Sequence, residues 1–213
     1  MSPRGKQLNE QMRAEAKSRI TAAALEVFSE YGYHGATMEQ IMRVSGLSKG
    51  LVYHYFPSKE KIFIHLVDTA LEISRNTWED AFASPGTAWE KIEKLSENVV
   101  KVAFTDESSR YSLIMIQAVT QGKAIAGLME HIMQGLSYSY GLLPLIIEAQ
   151  QTGEAVQGNP QMLLMTYIAL IQGLVLLAFN DDEMKKNITP EVLTNVLRNT
   201  GKPAKKPVPH GKE

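Results

Sequence analysis

The sequence predicts an all-α chain on three observations. Apolar residues recur at spacings of three and four through most of the 213 positions, and no segment alternates apolar with polar like a strand. Glycine, proline and capping residues fall where the periodic stretches end. With 44% hydrophobic residues, the chain can bury a sizeable core as one large or two small domains.

Residues 1–12 read as a flexible basic arm containing Arg4 and Lys6, and the first helix runs from Arg13 to Tyr31. It places Ala16, Ile20, Ala23, Ala24, Val27, Phe28 and Tyr31 on one stripe, and Gly32 stops it. Thr37 and Gln40 fit a capping box, in which the hydroxyl accepts from the third helical amide and the glutamine reaches back to the cap N–H. A second helix therefore starts at Met38, with Ile41 and Val44 on its apolar face. Gly46 can take the left-handed conformation that ends it, Leu47 buries the turn, and Ser48 caps the next helix.

The third helix is short and carries Lys49, Gly50, Leu51, Val52, Tyr53 and His54. The missing side chain at Gly50 lets its N-terminus come close to a phosphate. A hairpin in an ordinary core would place aliphatic side chains at its tip. This tip instead crowds Lys49, Tyr53, His54, Tyr55, Lys59 and Lys61 together, which points to a helix-turn-helix that docks on DNA.

Ser58 precedes a longer fourth helix whose inward side holds Ile62, Leu66, Val67, Ala70 and Leu71, continuing to Trp78 and Phe82 before the Ser84-Pro85-Gly86 break. Helices follow near Trp89–Phe104 and Ser108–Gln121. A long one from about Ala124 to Gln150 must bend or pause around Gly135, Gly141 and Pro144. Asn159-Pro160 and Thr189-Pro190 each pair a capping residue with proline at the first helical position, marking the last two helix starts.

The run from Met162 to Phe179 is apolar nearly all round, which suits a membrane span or a helix covered on every side. It is at the short limit for a span, contains Thr166, Gln172 and Gly173, and has Asp181, Asp182 and Glu183 at one end with no lysine anchor at the other. A helix covered by its own core on one side and a second subunit on the other is the expectation. With the stripe Val192, Leu193, Val196 and Leu197 of the final helix, Ile168, Ile171, Leu174 and Val175 form half of an expected four-helix dimer interface.

Composition narrows the chemistry. No cysteine is present, which excludes disulfides, thiolate metal sites and a cysteine nucleophile. The N-terminal segment has no apolar stretch of the secretory kind, so a cytoplasmic protein is expected. The net charge of −1 conceals a polarity, because residues 1–60 hold eight Lys/Arg against six Asp/Glu while residues 61–200 hold ten against sixteen. The chain lacks a Gly-rich phosphate loop, a G-x-S-x-G elbow and an H-E-x-x-H motif, and its five histidines are scattered without ligand spacing. No enzyme, cofactor or metal site is expected.

The run from Arg19 to Lys61, with ITAAALEVFSEYGYHGATMEQI leading into SGLSKGLVYHYFPSKEKIF, resembles the TetR family of bacterial transcriptional regulators. Phe28, Gly32, Thr37, Ile41, Gly46, Ser48, Lys49, Gly50, Tyr53, Phe56, Lys59 and Glu60 carry the residues usual in that family, in register. Met42 and Ser45 stand where the family usually has alanine, and Val52 where it commonly has leucine; these departures touch packing more than DNA contact.

The resemblance implies a helix-turn-helix DNA-binding domain at 13–58, a helical ligand-binding and dimerisation domain at 59–200, and a disordered tail at 201–213. It implies a homodimer that binds a palindromic double-stranded operator as a repressor and is released by a small apolar effector. Thr37, Ser48, Lys49, Gly50, Leu51, Tyr53, His54, Tyr55 and Lys59 would form the DNA face, with Lys49 the best candidate for a guanine and Phe56 an anchor to the core. The effector pocket is expected among Trp78, Phe82, Trp89, Phe104, Tyr111, Met115, Met129, Met133, Tyr138, Met162, Met165 and Tyr167, with Glu130, His131 and Gln172 as polar groups in apolar stretches. A helical dimeric adaptor or ligand-binding protein that has lost DNA contact is the alternative.

Overall fold

The computed structural model describes the backbone of residues 3–121 and 125–201 and the side chains of residues 10–120 and 125–201. Among these the chain is helical, with one isolated bridge between Ala155 and Arg198 and no strand. It divides into two compact units, one made of Met1–Asn76 and Ala103–Ser137, the other of Thr77–Val102 and Tyr138–Glu213. The reading pair shares the first unit with the start of the helix from Lys59 and with two later helices.

In the first unit, α1 (Pro3–Gly35) begins at Pro3, so the segment expected as a flexible arm is helical. Gly32 interrupts α1 without ending it. Its φ of 69° and ψ of 171° are open to glycine at little cost, and the Ala36 N–H then donates to the Gly32 carbonyl at 3.0 Å to close one more turn. Ile20, Ala23, Ala24, Val27 and Phe28 are buried as expected, but Tyr31 is exposed, because the stripe has rotated away from the core by the time it reaches the kink.

Helix α2 (Met38–Ser45) starts with the full capping box, the Thr37 hydroxyl accepting from Gln40 N at 3.2 Å and the Gln40 carboxamide accepting from Thr37 N at 2.8 Å. It buries Met38, Ile41 and Ser45; Val44, expected on the apolar face, is 40% exposed. Gly46 ends it in the left-handed conformation, and α3 (Lys49–Tyr55) follows under the Ser48 cap. Helices α6 (Asp106–Gln121) and α7 (Leu128–Gly135) complete this unit, with α6 packed on α1 and α7 on α6. One apolar core joins Phe28, Ile41, Val52, Phe56, Phe63, Leu66, Ile114 and Ile132.

Helix α4 (Lys59–Ala83) begins in the first unit and ends in the second. The second unit also holds α5 (Ala88–Ala103) for all but its last residue, and Thr87 and Glu90 form a second capping box at its start. The long helix expected from Ala124 to Gln150 is broken into α7, a 3-10 segment (Leu136–Gly141) and α8 (Leu142–Thr152). The breaks fall at Gly135 and Gly141, where neighbouring side chains come close. A Cβ on Gly135 would sit 2.5 Å from Leu71, and one on Gly141 would sit 2.6 Å from the Phe82 ring. Pro144 falls in the first turn of α8, where its missing N–H costs nothing.

Helix α9 (Pro160–Leu177) starts at the Asn159 cap, whose side chain accepts from Gln161 N and Met162 N. After it come α10 (Asp182–Asn187), capped by Asp181, and α11 (Pro190–Thr194). The expected final helix through Leu197 is thus only five residues long, and Thr189 does not cap it with its side chain. The chain instead turns to pair with the segment after α8: Val156 N donates to Leu197 O and Asn199 N to Glu154 O, both at 2.8 Å. Arg198 closes this end on α5, bonding Glu93 at 2.7 Å with its guanidinium 4.9 Å from the Trp89 ring centre. The tail expected at 201–213 lies, from residue 202 on, outside the described residues.

Candidate nucleic-acid interface

Helix α3 is seven residues long and owes its position to a few anchors. Val52 is fully buried and Phe56, its C-cap, nearly so, while the half-buried Tyr55 packs against the same core. At its start the Ser48 hydroxyl accepts from Leu51 N at 3.4 Å. With one face held in this way, Ser48, Lys49, Gly50, Tyr53 and His54 are exposed together, and Leu51 is partly covered. The Lys49 ammonium lies 5.8 Å from the Tyr53 ring centre, so cation and aromatic present one surface. No side chain within 4 Å would obstruct a Cβ at Gly50, so its backbone amide is open to a phosphate's approach.

Two expected contacts are redirected. The Thr37 hydroxyl is engaged twice, accepting from Gln40 N and donating to Gln40 Oε1 at 2.9 Å, so it sets the start of α2 and has no proton left for a phosphate. The Lys59 ammonium turns inward. It donates to the carbonyls of Tyr33 at 2.7 Å and Ala36 at 2.9 Å and lies 4.7 Å from the Tyr33 ring centre. A cation at the end of α1 finds orphaned carbonyls and the negative end of the helix dipole, which outcompete water for it.

Other residues of this unit had no signal in the periodicity. The Arg19 guanidinium on α1 donates to Ser45 O at 2.7 Å and so caps α2 from outside. Gln117 on α6 donates to Phe28 O at 2.9 Å. Arg43, on the last turn of α2, is exposed. Side-chain-to-carbonyl bonds across 26 or 89 positions leave no mark on local spacing.

Residues 20–66 match the family model described as bacterial regulatory proteins, tetR family. The head is similar to a tetR-family helix-turn-helix. The chain is 44% identical over 57 residues to the HTH-type transcriptional regulator RutR of Escherichia coli K12, a match covering 27% of this chain and 27% of RutR. The chain thus matches about a quarter of the length of that relative. A longer match, 27% identical over 143 residues, covers 65% of this chain and 68% of the HTH-type transcriptional regulator UidR of the same organism. The tetR-type fold extends through the body: the TetR family transcriptional regulator PfmR from Thermus thermophilus superposes with a TM-score of 0.66 at 18% identity, covering 86% of this chain and all of that one. All three of these proteins are transcriptional regulators.

In the first unit, an open cleft of about 360 Å³ lies between α1, α4 and α6, lined among others by Lys17, Thr21, His65, Glu107 and Tyr111. Burial lowers the His65 pKa, Lys17 lowers it further, and Asp68 opposes them. The folded chain therefore binds a proton at His65 less readily than the unfolded chain. Stability is unaffected by this group well above the ordinary value of 6.5, and is lost as pH falls through it because only the unfolded state gains the proton. Urea midpoints should fall between about pH 7.5 and about pH 5.5, and His65→Gln should flatten that decline; an identical pH profile in the variant would assign it elsewhere.

The expected effector residues are brought together only in part. Trp78 makes edge contacts with Phe82, Tyr138 and Tyr167 at 5.8–6.2 Å between ring centres, an aromatic cluster in the second unit. Within it, Ser96 and Tyr167 are fully buried and bonded at 2.8 Å. Ser96 gives its proton to Ile92 O, so Tyr167 is the donor, and burial pushes its pKa up and keeps it protonated. Trp89 lies under Arg198, and Phe104 is buried at the end of α5. Tyr111 and Met115 belong to the first unit's core. Met129, Met133, Met162, Met165 and Gln172 are exposed, since the helical stripes that carry them face away from their own units' cores. His131 bonds Asp68 at 2.5 Å, and Glu130 accepts from Gln134.

Proposed function

We propose that the protein is a DNA-binding transcriptional regulator, a homodimeric repressor that binds a palindromic operator and is released by a small apolar effector. The observation that carries this is the exposed group Lys49, Gly50, Tyr53 and His54 on a helix anchored by Val52 and Phe56, inside the residues that match the tetR-family model. Helix amides, tyrosine and lysine position the head on phosphates, and Lys49 is the side chain suited to a guanine edge.

The dimer is supported by α9. It is long and apolar enough by composition to cross a membrane, yet only Leu164, Tyr167 and Val175 are buried against its own unit. Met162, Met165, Ala169, Gly173 and Leu176 line the opposite, exposed face, and the small residues Ala169 and Gly173 at its centre let a second helix approach closely. Two heads can enter successive major grooves only when separated by on the order of 34–36 Å. Helix α4 is the lever in this reading, because it carries Lys59 in its first turn and Trp78 and Phe82 toward its end. An apolar effector that displaces the aromatic cluster around Trp78 would move it, and effector and operator would oppose each other by the same coupling free energy, typically about 1–3 kcal/mol. Action in the cytoplasm follows from access to the operator.

Selection from a random DNA pool tests the reading. A palindromic winner is expected, bound with a steep salt dependence and weakened at least about tenfold by Lys49→Ala or Tyr53→Ala. No enriched sequence, or binding indifferent to both substitutions, would leave a helical dimer without DNA-reading activity.

A further inference from the structure

The polar side chains gathered at the kink of α1 are not accounted for by DNA contact. At Gly32 the helix is interrupted and its end is rebuilt as one extra turn, which leaves carbonyls that must be satisfied from outside the helix. Two different helices supply the donors. Lys59, in the first turn of α4, takes the carbonyls of Tyr33 and Ala36, and Gln117, on α6, takes that of Phe28. Ala36 immediately precedes Thr37, whose capping box starts α2, so the last gripped carbonyl is one residue from the reading pair.

The packing of the kink agrees. The Tyr33 ring stacks on Phe28 at 6.2 Å, tilts on Phe63 of α4 at 4.8 Å, and receives the Lys59 ammonium on its face. Gln117 also carries a cost: its Oε1 is buried and has no hydrogen-bond partner among the described residues. A leucine would avoid that penalty but would leave the Phe28 carbonyl unpaired, so the amide is kept for the bond it makes to the kink.

We propose that Lys59 and Gln117 are positioning residues that grip the kinked end of α1 from α4 and α6 and so set the angle of the reading pair, without touching DNA. The proposal rests on the DNA-binding reading above for its purpose, and on the kink geometry for its existence. Movement of α4 or α6 would be passed to α2 through three carbonyl contacts instead of through the general packing of the core. That Lys59 faces inward in a helix start crowded with cations is what separates it from Lys49.

The test uses the full chain, with Lys59→Met and Gln117→Leu, which keep most side-chain bulk and remove the donors. Without DNA, amide hydrogen exchange at Ala36 and through α2 and α3 should quicken by about tenfold in each variant, while the amides of α5 and α9 exchange as in the unaltered chain. Unchanged exchange at Ala36 and α2 in both variants would overturn the grip. On the selected operator, Lys59→Met should bind about tenfold more weakly with the same slope of log affinity against log salt. A slope shallower by about 0.9 would make Lys59 a phosphate contact and overturn the assignment. If the unaltered chain selects no operator, the DNA-binding reading fails, and the exchange measurement alone still decides the grip.

Discussion

Gly173→Glu is expected to leave each chain folded and to convert the protein from dimer to monomer. A Cβ at Gly173 meets nothing within 4 Å in the monomer, so the substitution creates no clash there. Replacing a mid-helix glycine also raises intrinsic helix propensity. In a dimer joined through α9 the same position lies at the closest approach of two helices, where a buried, unpaired carboxylate is strongly unfavourable. Sedimentation should show the monomer mass. Operator affinity should fall by about 10²–10⁴-fold, since a single head loses the effective concentration supplied by its twin. A variant that remains dimeric would move the interface elsewhere. A chain that partitions into detergent or vesicles whether or not it carries the glutamate would show that the apolar face of α9 meets lipid.

Phe28→Ala should cost about 3–5 kcal/mol, a large share of the stability of a domain this size. Phe28 is fully buried, stacks on Tyr33 and meets Phe63 edge-on at 5.2 Å between ring centres. The cavity left by its ring would open beneath the α1 kink, where α4 and α6 both attach, so the neighbours cannot close it without moving the carbonyls that Lys59 and Gln117 hold. Urea unfolding followed in the first unit should show the loss, and operator binding should fall with it. A change below about 1 kcal/mol would mean that the kink repacks, and would weaken the case that its geometry sets the head.

The reading pair was legible because its information is local. Thr37 and Gln40 are three residues apart and cap each other, Gly46 ends one helix, and Ser48 starts the next, so both bounds could be stated from spacing alone. The breaks at Gly135 and Gly141 were legible for the same reason, although the cause, the closeness of Leu71 and Phe82, was not. Which face a helix buries was less legible. Val44 and Tyr31 had the right hydrophobicity and spacing but are exposed, while Val175, Leu193 and Leu197, assigned to a dimer contact, are buried in their own unit. Ile168, Ile171 and Leu174 are partly covered and flank the exposed face, which is carried by Met162, Met165, Ala169, Gly173 and Leu176.

The helical class, the position of the helix-turn-helix and the chemistry of its tip are written locally in the chain, because caps, turns and short helices are settled by interactions within a few residues. Packing in three dimensions turns Lys59 inward, divides the expected effector residues between two units, and stops the last helix at Thr194. Those outcomes depend on which carbonyls a kink leaves unpaired and on which helices pack across it. Contacts between residues tens of positions apart are set by competition among partners in three dimensions, and no local spacing records them.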